Sequence, residues 1–293
     1  MKSKVYFTRT MTAQKLVELY EKLGWKPGKN LAVKLHSGEQ GNQNYIRPEF
    51  WQPLIGKTGG TVVECNTAYG GARNTTEKHL RLIKEHQWSD YFDFDLMDAE
   101  GPDIEIPVPG GKVISKDIMG KNFANYDSML VLSHFKGHPM GGFGGALKQL
   151  SIGCASSAGK AWIHSAGRTT DQYDLWNDLP EQDRFLEAMA DAACAVVSHF
   201  NGRMAFINVM KNLSVDCDCC EVAEDPCMRD IGMLASLDPV AIDQACLDLV
   251  YGAKDDPGRA HFLERIETRH GVHTVEAAAE LGFGSREYKL IEF

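Results

Sequence analysis

Two spacings of apolar residues divide the chain. Short runs dominated by apolar and β-branched positions predict buried strands at Val5–Thr8, Asn30–His36, Thr61–Cys65, Met129–Ser133 and Ala205–Val209. Between them, apolar residues recur every three or four positions. Leu16, Leu19, Tyr20 and Leu23 follow a capping Thr12 and end at Gly24, which predicts a helix. Pro48–Ile55 starts a second helix. A third covers Thr76–His86, with Leu80 and Ile83 apolar and Lys78, Arg81 and Lys84 facing water. Leu179–His199 reads as a long helix that presents Phe185, Met189, Ala192 and Val196 on one face. Pro239–Tyr251 follows with Asp238 as its cap and Asp243 on its solvated side. Ile104–Val108 and Lys112–Ser115, joined by Pro109-Gly-Gly, predict a β-hairpin.

This strand–loop–helix rhythm predicts an α/β fold, with a mainly parallel sheet flanked by helices. It reads as one compact unit over residues 1–293, with room for a small second lobe near residues 160–205. Ligands of such sheets gather beyond the carboxyl ends of the strands. The polar loops after Leu35, Cys65 and Leu132 would open onto one edge.

Those loops frame the chemistry. Four of the eight cysteines, Cys217, Cys219, Cys220 and Cys227, fall within eleven residues. Neighbouring thiolates form a chelate for a soft metal that one thiol cannot match. Glu221, Glu224 and Asp225 give the segment the character of an exposed acidic loop. An irregular loop of this kind suits a [4Fe–4S] cluster, and zinc is the alternative. Cys154 could replace Cys219 or Cys220 as a ligand, whereas Cys65, Cys194 and Cys246 lie in core-like settings.

A second constellation runs from Ser133 to Lys148. His134 and His138 are candidate acid/base groups or ligands, and Lys148 and Lys136 supply positive charge. Gly141, Gly142, Gly144 and Gly145 would let a cofactor or substrate approach the backbone, and a helix starting near Gly145 would offer its positive end to an anion. Lys34, His36 and Arg73, on or after two of the strands, are further catalytic candidates, with Arg73 suited to hold a carboxylate. Lys160 and His164 could close the same pocket or cap a turn. Neither a phosphate-binding P-loop nor a dinucleotide fingerprint is present, and there is no nucleophile elbow or zincin helix.

Overall charge narrows the partners. With 31 basic and 40 acidic side chains the net charge is −9, which argues against binding nucleic acid through phosphates. No apolar run approaches the roughly 20 residues that span a bilayer. The N-terminus lacks a signal-peptide pattern, so a cytoplasmic protein is expected, one in which clustered thiols are metal ligands or redox groups more readily than disulfides.

The run Val131–Lys148, with Asn66–Arg73, Val215–Cys220 and Asp230–Gln244, resembles the domain-of-unknown-function family numbered 362, whose members are often described as iron–sulfur-centre proteins. The inserted ferredoxin domain of many relatives is missing here. The resemblance implies one site at Cys217–Cys227, and with it an iron–sulfur oxidoreductase acting on a small anionic molecule, with an electron-transfer protein as a candidate partner. A non-redox isomerase or lyase with a structural cysteine metal site, and a metal or cluster carrier, are the alternatives. The glycine-rich run is also similar to lactate-racemase-type enzymes. There a histidine, a glycine pair and a lysine hold a nickel-pincer cofactor, and His134, Gly144-Gly145 and Lys148 stand in that order.

Overall fold

The computed structural model describes residues 2–293. In chain order the strands are β1 (Ser3–Thr8), β2 (Leu31–Lys34), β3 (Thr61–Glu64), β4 (Phe94–Leu96), β5 (Ile104–Pro107), β6 (Lys116–Met119), β7 (Ser128–His134), β8 (Lys136–His138), β9 (Gly142–Gly144), β10 (Met204–Met210), β11 (Gly232–Ser236) and β12 (Tyr288–Glu292). The helices are α1 (Ala13–Lys22), α2 (Pro48–Thr58), α3 (Thr76–Glu85), α4 (Ala146–Cys154), α5 (Ser157–His164), α6 (Gln182–Phe200), α7 (Pro239–Gly252), α8 (Arg259–Thr268) and α9 (Val272–Glu280).

Eight strands form the central sheet in the order β12-β1-β11-β10-β7-β2-β3-β4. From β10 to β4 every pairing is parallel, and β11 is antiparallel to both of its neighbours. The fold is therefore α/β with a mostly parallel sheet, as the pattern predicts.

The reason lies in the side-chain alternation along each strand. On β7, Met129 and Val131 enter one core, against α4, α6 and α7, while Leu130 and Leu132 enter the other, against α1 and α2. A strand buried on both faces has no polar side, hence the continuous apolar runs. Burying each such side chain contributes about 1.5–3 kcal/mol. Within residues 160–205, α6 carries Phe185, Leu186 and Val196 into the same core as α4 and α9.

Three local expectations are corrected. The second hairpin strand is Lys116–Met119, not Lys112–Ser115. The Asp191 carboxylate on α6 accepts the N–H groups of Lys112, Val113 and Ile114 at 2.6–3.0 Å and takes them out of the ladder. On α3, Leu80 is 47% exposed, and His79 turns inward to Glu64 at 3.0 Å. Asp243 is not solvated but fully buried.

Candidate functional site

The carboxyl ends of β2, β3, β7 and β10 lie on one edge of the sheet, and the loops that follow them enclose a cavity of about 230 Å³. The cysteine loop follows β10. Its first half is held down, with Cys217 and Asp218 buried and Cys219 and Cys220 partly open, whereas Glu221, Val222, Glu224 and Asp225 are exposed, as expected of an acidic loop. Its clamp is the polar run after β2. Asn42 donates to the carbonyls of Cys217 and Cys220, Glu39 N–H donates to Asp218 O, and Asn44 donates to Glu224 O. From below, Gly137 N–H donates to Ser214 O, and from α8 Arg265 donates to Val215 O.

At the root of the loop is a buried ion-pair triad. Asp218 accepts from His134 Nδ1 and Lys136 Nζ, both at 2.8 Å. The second nitrogen of His134 meets the Lys211 carbonyl at 2.5 Å. Burial pushes the Asp218 carboxyl up, but His134 and Lys136 outweigh it and hold the group well below the usual carboxylate range. With both nitrogens engaged, His134 has none left for a ligand. The order His134, Gly144-Gly145, Lys148 therefore does not assemble one cofactor site.

Arg73 is committed in the same way. Its Nε donates to Glu39 at 3.1 Å, and Nη2 to the Tyr69 hydroxyl at 2.8 Å. Nη1 lies 3.2 Å from His36 Nε2. The carboxylate it was expected to hold is Glu39, inside the protein. Burial, reinforced by the guanidinium, keeps His36 neutral, well below its ordinary pKa. The N-terminus of α4 is likewise occupied, since Asp243 accepts Ala146 N–H at 2.8 Å and Leu147 N–H at 2.9 Å. The expected anion seat at this helix is filled by an internal carboxylate, which burial pushes up to about 6. Among the predicted glycines, Gly144 and Gly145 line the cavity. Gly141 N–H bonds to His138 Nδ1 at 2.8 Å, and Gly142 packs on Gly271.

Among the described residues, the donors gathered closely enough for a metal ion are His138, Cys217 and Cys219, with ligand atoms within 4.8 Å of one another. Cys220 and Cys227 stand outside this group. Cys227 Sγ faces the Leu213 carbonyl at 3.5 Å, and Cys154 is buried beneath β7 against Met129. The sulfur of Cys217 accepts from Lys148 Nζ and from Cys219 N–H, each at 3.4 Å. Burial opposes charge at Cys217, but Cys219, Lys148 and His138 together lower its pKa well below that of an ordinary thiol. The proton stays with Cys219, raised by its bonds to Cys217 and Cys220.

His138 Nδ1 accepts from Met140 and Gly141 N–H, so the neutral ring carries its proton on Nε2. Burial, then Lys148, pushes its pKa down to about 4. His164 has the opposite tautomer. Its Nδ1–H donates to Lys160 O at 2.7 Å, which leaves Nε2 as a lone pair on a ring that lines the cavity and stacks on Phe185. Burial lowers its pKa to about 4.

Sequence reasoning did not single out Asp218, Glu64 or Gln149, and it took Asp243 for a solvated residue. Asp218 had a local signal, a carboxylate between two thiols. Glu64 is paired with residues distant in the chain and the Gln149 amide nitrogen has no partner, so neither left a local signal.

Residues 31–248 match the family described as "Domain of unknown function (DUF362)". No curated protein matches the chain. Among solved structures, the lactate racemase apoprotein from Thermoanaerobacterium thermosaccharolyticum is similar at 16% identity and a TM-score of 0.44, over 70% of this chain and 50% of that one. A protein from Thermotoga maritima is similar at 12% identity and a TM-score of 0.42, over 92% and 58%. The chain thus spans about half the length of these structures. By the family match, which takes in well over half of its residues, the protein belongs to the DUF362 family.

Proposed function

We propose that the protein is a metal-dependent enzyme acting on a small anionic substrate by non-redox chemistry of the isomerase or lyase class. The observation that carries this reading is the meeting of His138, Cys217 and Cys219 beside a cavity lined with lysines. A sulfur–nitrogen set of three protein donors with one open position is the pattern of catalytic rather than structural zinc sites. A bound ion would polarise a substrate oxygen and stabilise the negative charge that develops on it.

The protein's own groups have separable roles here. Lys148 balances the Cys217 thiolate. His164, neutral at pH 7, offers Nε2 as the proton acceptor, and its orientation is fixed by the Lys160 carbonyl. The His134–Asp218–Lys136 triad positions the loop. Ion uptake would release the Cys219 proton to solvent and would shift the His138 ring proton from Nε2 to Nδ1, so the Met140–Gly141 turn would have to yield its bonds to Nδ1. The mostly enclosed cavity limits water.

An iron–sulfur oxidoreductase or carrier is the second reading. It is favoured by sulfur density, since four thiols fall within eleven residues and Cys219 N–H reaches the Cys217 sulfur at 3.4 Å. For a four-thiolate cube, Cys227 would have to leave the Leu213 carbonyl. All eight cysteines are free thiols, which suits a reducing compartment such as the cytoplasm. No helix among the described residues is long and apolar enough to cross a membrane.

Zinc titration without oxygen tests the choice. Cys217→Ser and Cys219→Ser should each weaken binding at least about a hundredfold, while Cys227→Ser binds like the parent. Equal losses at Cys220 and Cys227, with none at His138, would replace this reading with the cluster.

A further inference from the structure

Five cations line the cavity, namely Lys34, Arg73, Lys136, Lys148 and Lys160. Three have internal partners: Arg73 has Glu39, Lys136 has Asp218 and Lys148 has the Cys217 sulfur. Lys160 has no carboxylate partner, and Lys34 has only a loose one. Lys160 is 6% exposed and donates only to the Ala155 carbonyl at 2.6 Å. Lys34 is 2% exposed, and its ammonium donates to its neighbour's carbonyl, Leu35 O. Its nearest carboxylate, Glu64, stands at the 3.9 Å limit of an ion pair. Both oxygens of Glu64 are taken by Ser37 and His79 at 2.7–3.0 Å.

A third donor lies beside them. Gln149 is buried on α4 and lines the cavity, and its Nε2 has no hydrogen-bond partner. Gly153, one turn further along α4, makes room for the group. A side chain there would come within 2.9 Å of Lys34 Cε and 2.7 Å of Gln149 Oε1. A buried ammonium without a counter-charge and a buried amide without an acceptor are both costly. Lys160, the loosely paired Lys34 and the amide of Gln149, on the wall of one cavity, share a single remedy, an anion supplied from outside.

We infer that Lys34, Lys160 and Gln149 form an anion-binding subsite that receives a carboxylate or phosphate group of the substrate, apart from the Cys217–Lys148 wall where the chemistry takes place. The inference rests on the cavity being a substrate site and deepens that reading, because it requires the substrate to carry its anionic group away from the reacting atom. Asp117 is the acid whose charge Lys160 influences. It is not a counter-ion, because burial pushes it up to about 8 and leaves it protonated at neutral pH. Capping the end of α4 would account for the Lys160–Ala155 bond, but not for Lys34 and Gln149 facing the same space.

Thermal unfolding and calorimetry with succinate and with inorganic phosphate test this, on protein as purified and after chelation. A saturable stabilisation by at least one anion is expected in both preparations, and the anion that works identifies the group. Lys34→Met and Lys160→Met should each weaken that binding at least about tenfold, and Lys160→Arg should retain most of it. Gln149→Leu should weaken it by a smaller factor, and it carries the test together with Lys160→Arg if the methionine variants do not fold. The subsite is overturned if neither anion stabilises the parent, if the variants bind as the parent does, or if the response needs a bound metal. Loss of zinc binding with the anion response intact would instead count against the metal reading alone.

Discussion

The root of the cysteine loop and the wall of the cavity use the same residue types to opposite effect. At the root, His134 and Lys136 each bond directly to the Asp218 carboxylate, and Arg73 bonds to Glu39 and Tyr69 and lies against His36. On the wall, Lys34, Lys160 and Gln149 are buried as deeply, but none donates a hydrogen bond to a charged acceptor, and the nearest carboxylate to Lys34 stands off at 3.9 Å. Buried charge that is closed on itself holds structure in place, and buried charge left open awaits a ligand. Exposure alone would not separate the two regions, whereas the charge and distance of the partners do.

The largest effect that sharpens this contrast is expected at Asp218. Replacing it with Ala strands Lys136 as a buried cation, leaves His134 Nδ1 without its partner, and should cost about 3–5 kcal/mol in denaturant unfolding. A loss near zero would mean that the triad does not hold the loop.

An intermediate effect depends on pH. Asp117 is buried, Oδ2 has no partner, and its folded-state pKa is raised to about 8. A raised pKa means that the folded state holds the proton more tightly. The stability so gained is complete below about pH 4 and is lost as pH climbs through the folded value. Between those limits the parent should lose up to about 1.4 kcal/mol per pH unit relative to Asp117→Asn, measured by urea unfolding across pH. Parallel profiles for the two proteins would contradict it.

The smallest effect is expected on the open wall. Without added anion, Lys160→Met should leave stability within about 1 kcal/mol of the parent or raise it, because it removes an unpaired buried charge. A loss as large as that at Asp218 would erase the distinction between the regions.

The division between what was legible in the sequence and what was not follows the same physics. The strands could be read because burial on both faces leaves no exposed position in β7 or β10 and makes their centres apolar, and helix α7 because Asp238 caps it with bonds to Val240 and Ala241 N–H at 2.9 Å. The cysteine loop stood out by composition. Its burial did not, because the groups that cover it, Asn42, Asn44 and Arg265, lie far away in the chain. Arg73 and the N-terminus of α4 looked free for a ligand, and only the folded chain brings Glu39 and Asp243 to them. His138 and Lys148 were legible as chemistry, but their partner sulfur, Cys217, was not legible as their neighbour.

The most direct test of the single-ion centre is a count of metal and acid-labile sulfide on protein prepared without oxygen. One zinc-class ion per chain with no sulfide is expected, falling to none in Cys217→Ser. Iron and sulfide in equal amounts, near four of each per chain, would contradict it and put an iron–sulfur cluster in its place.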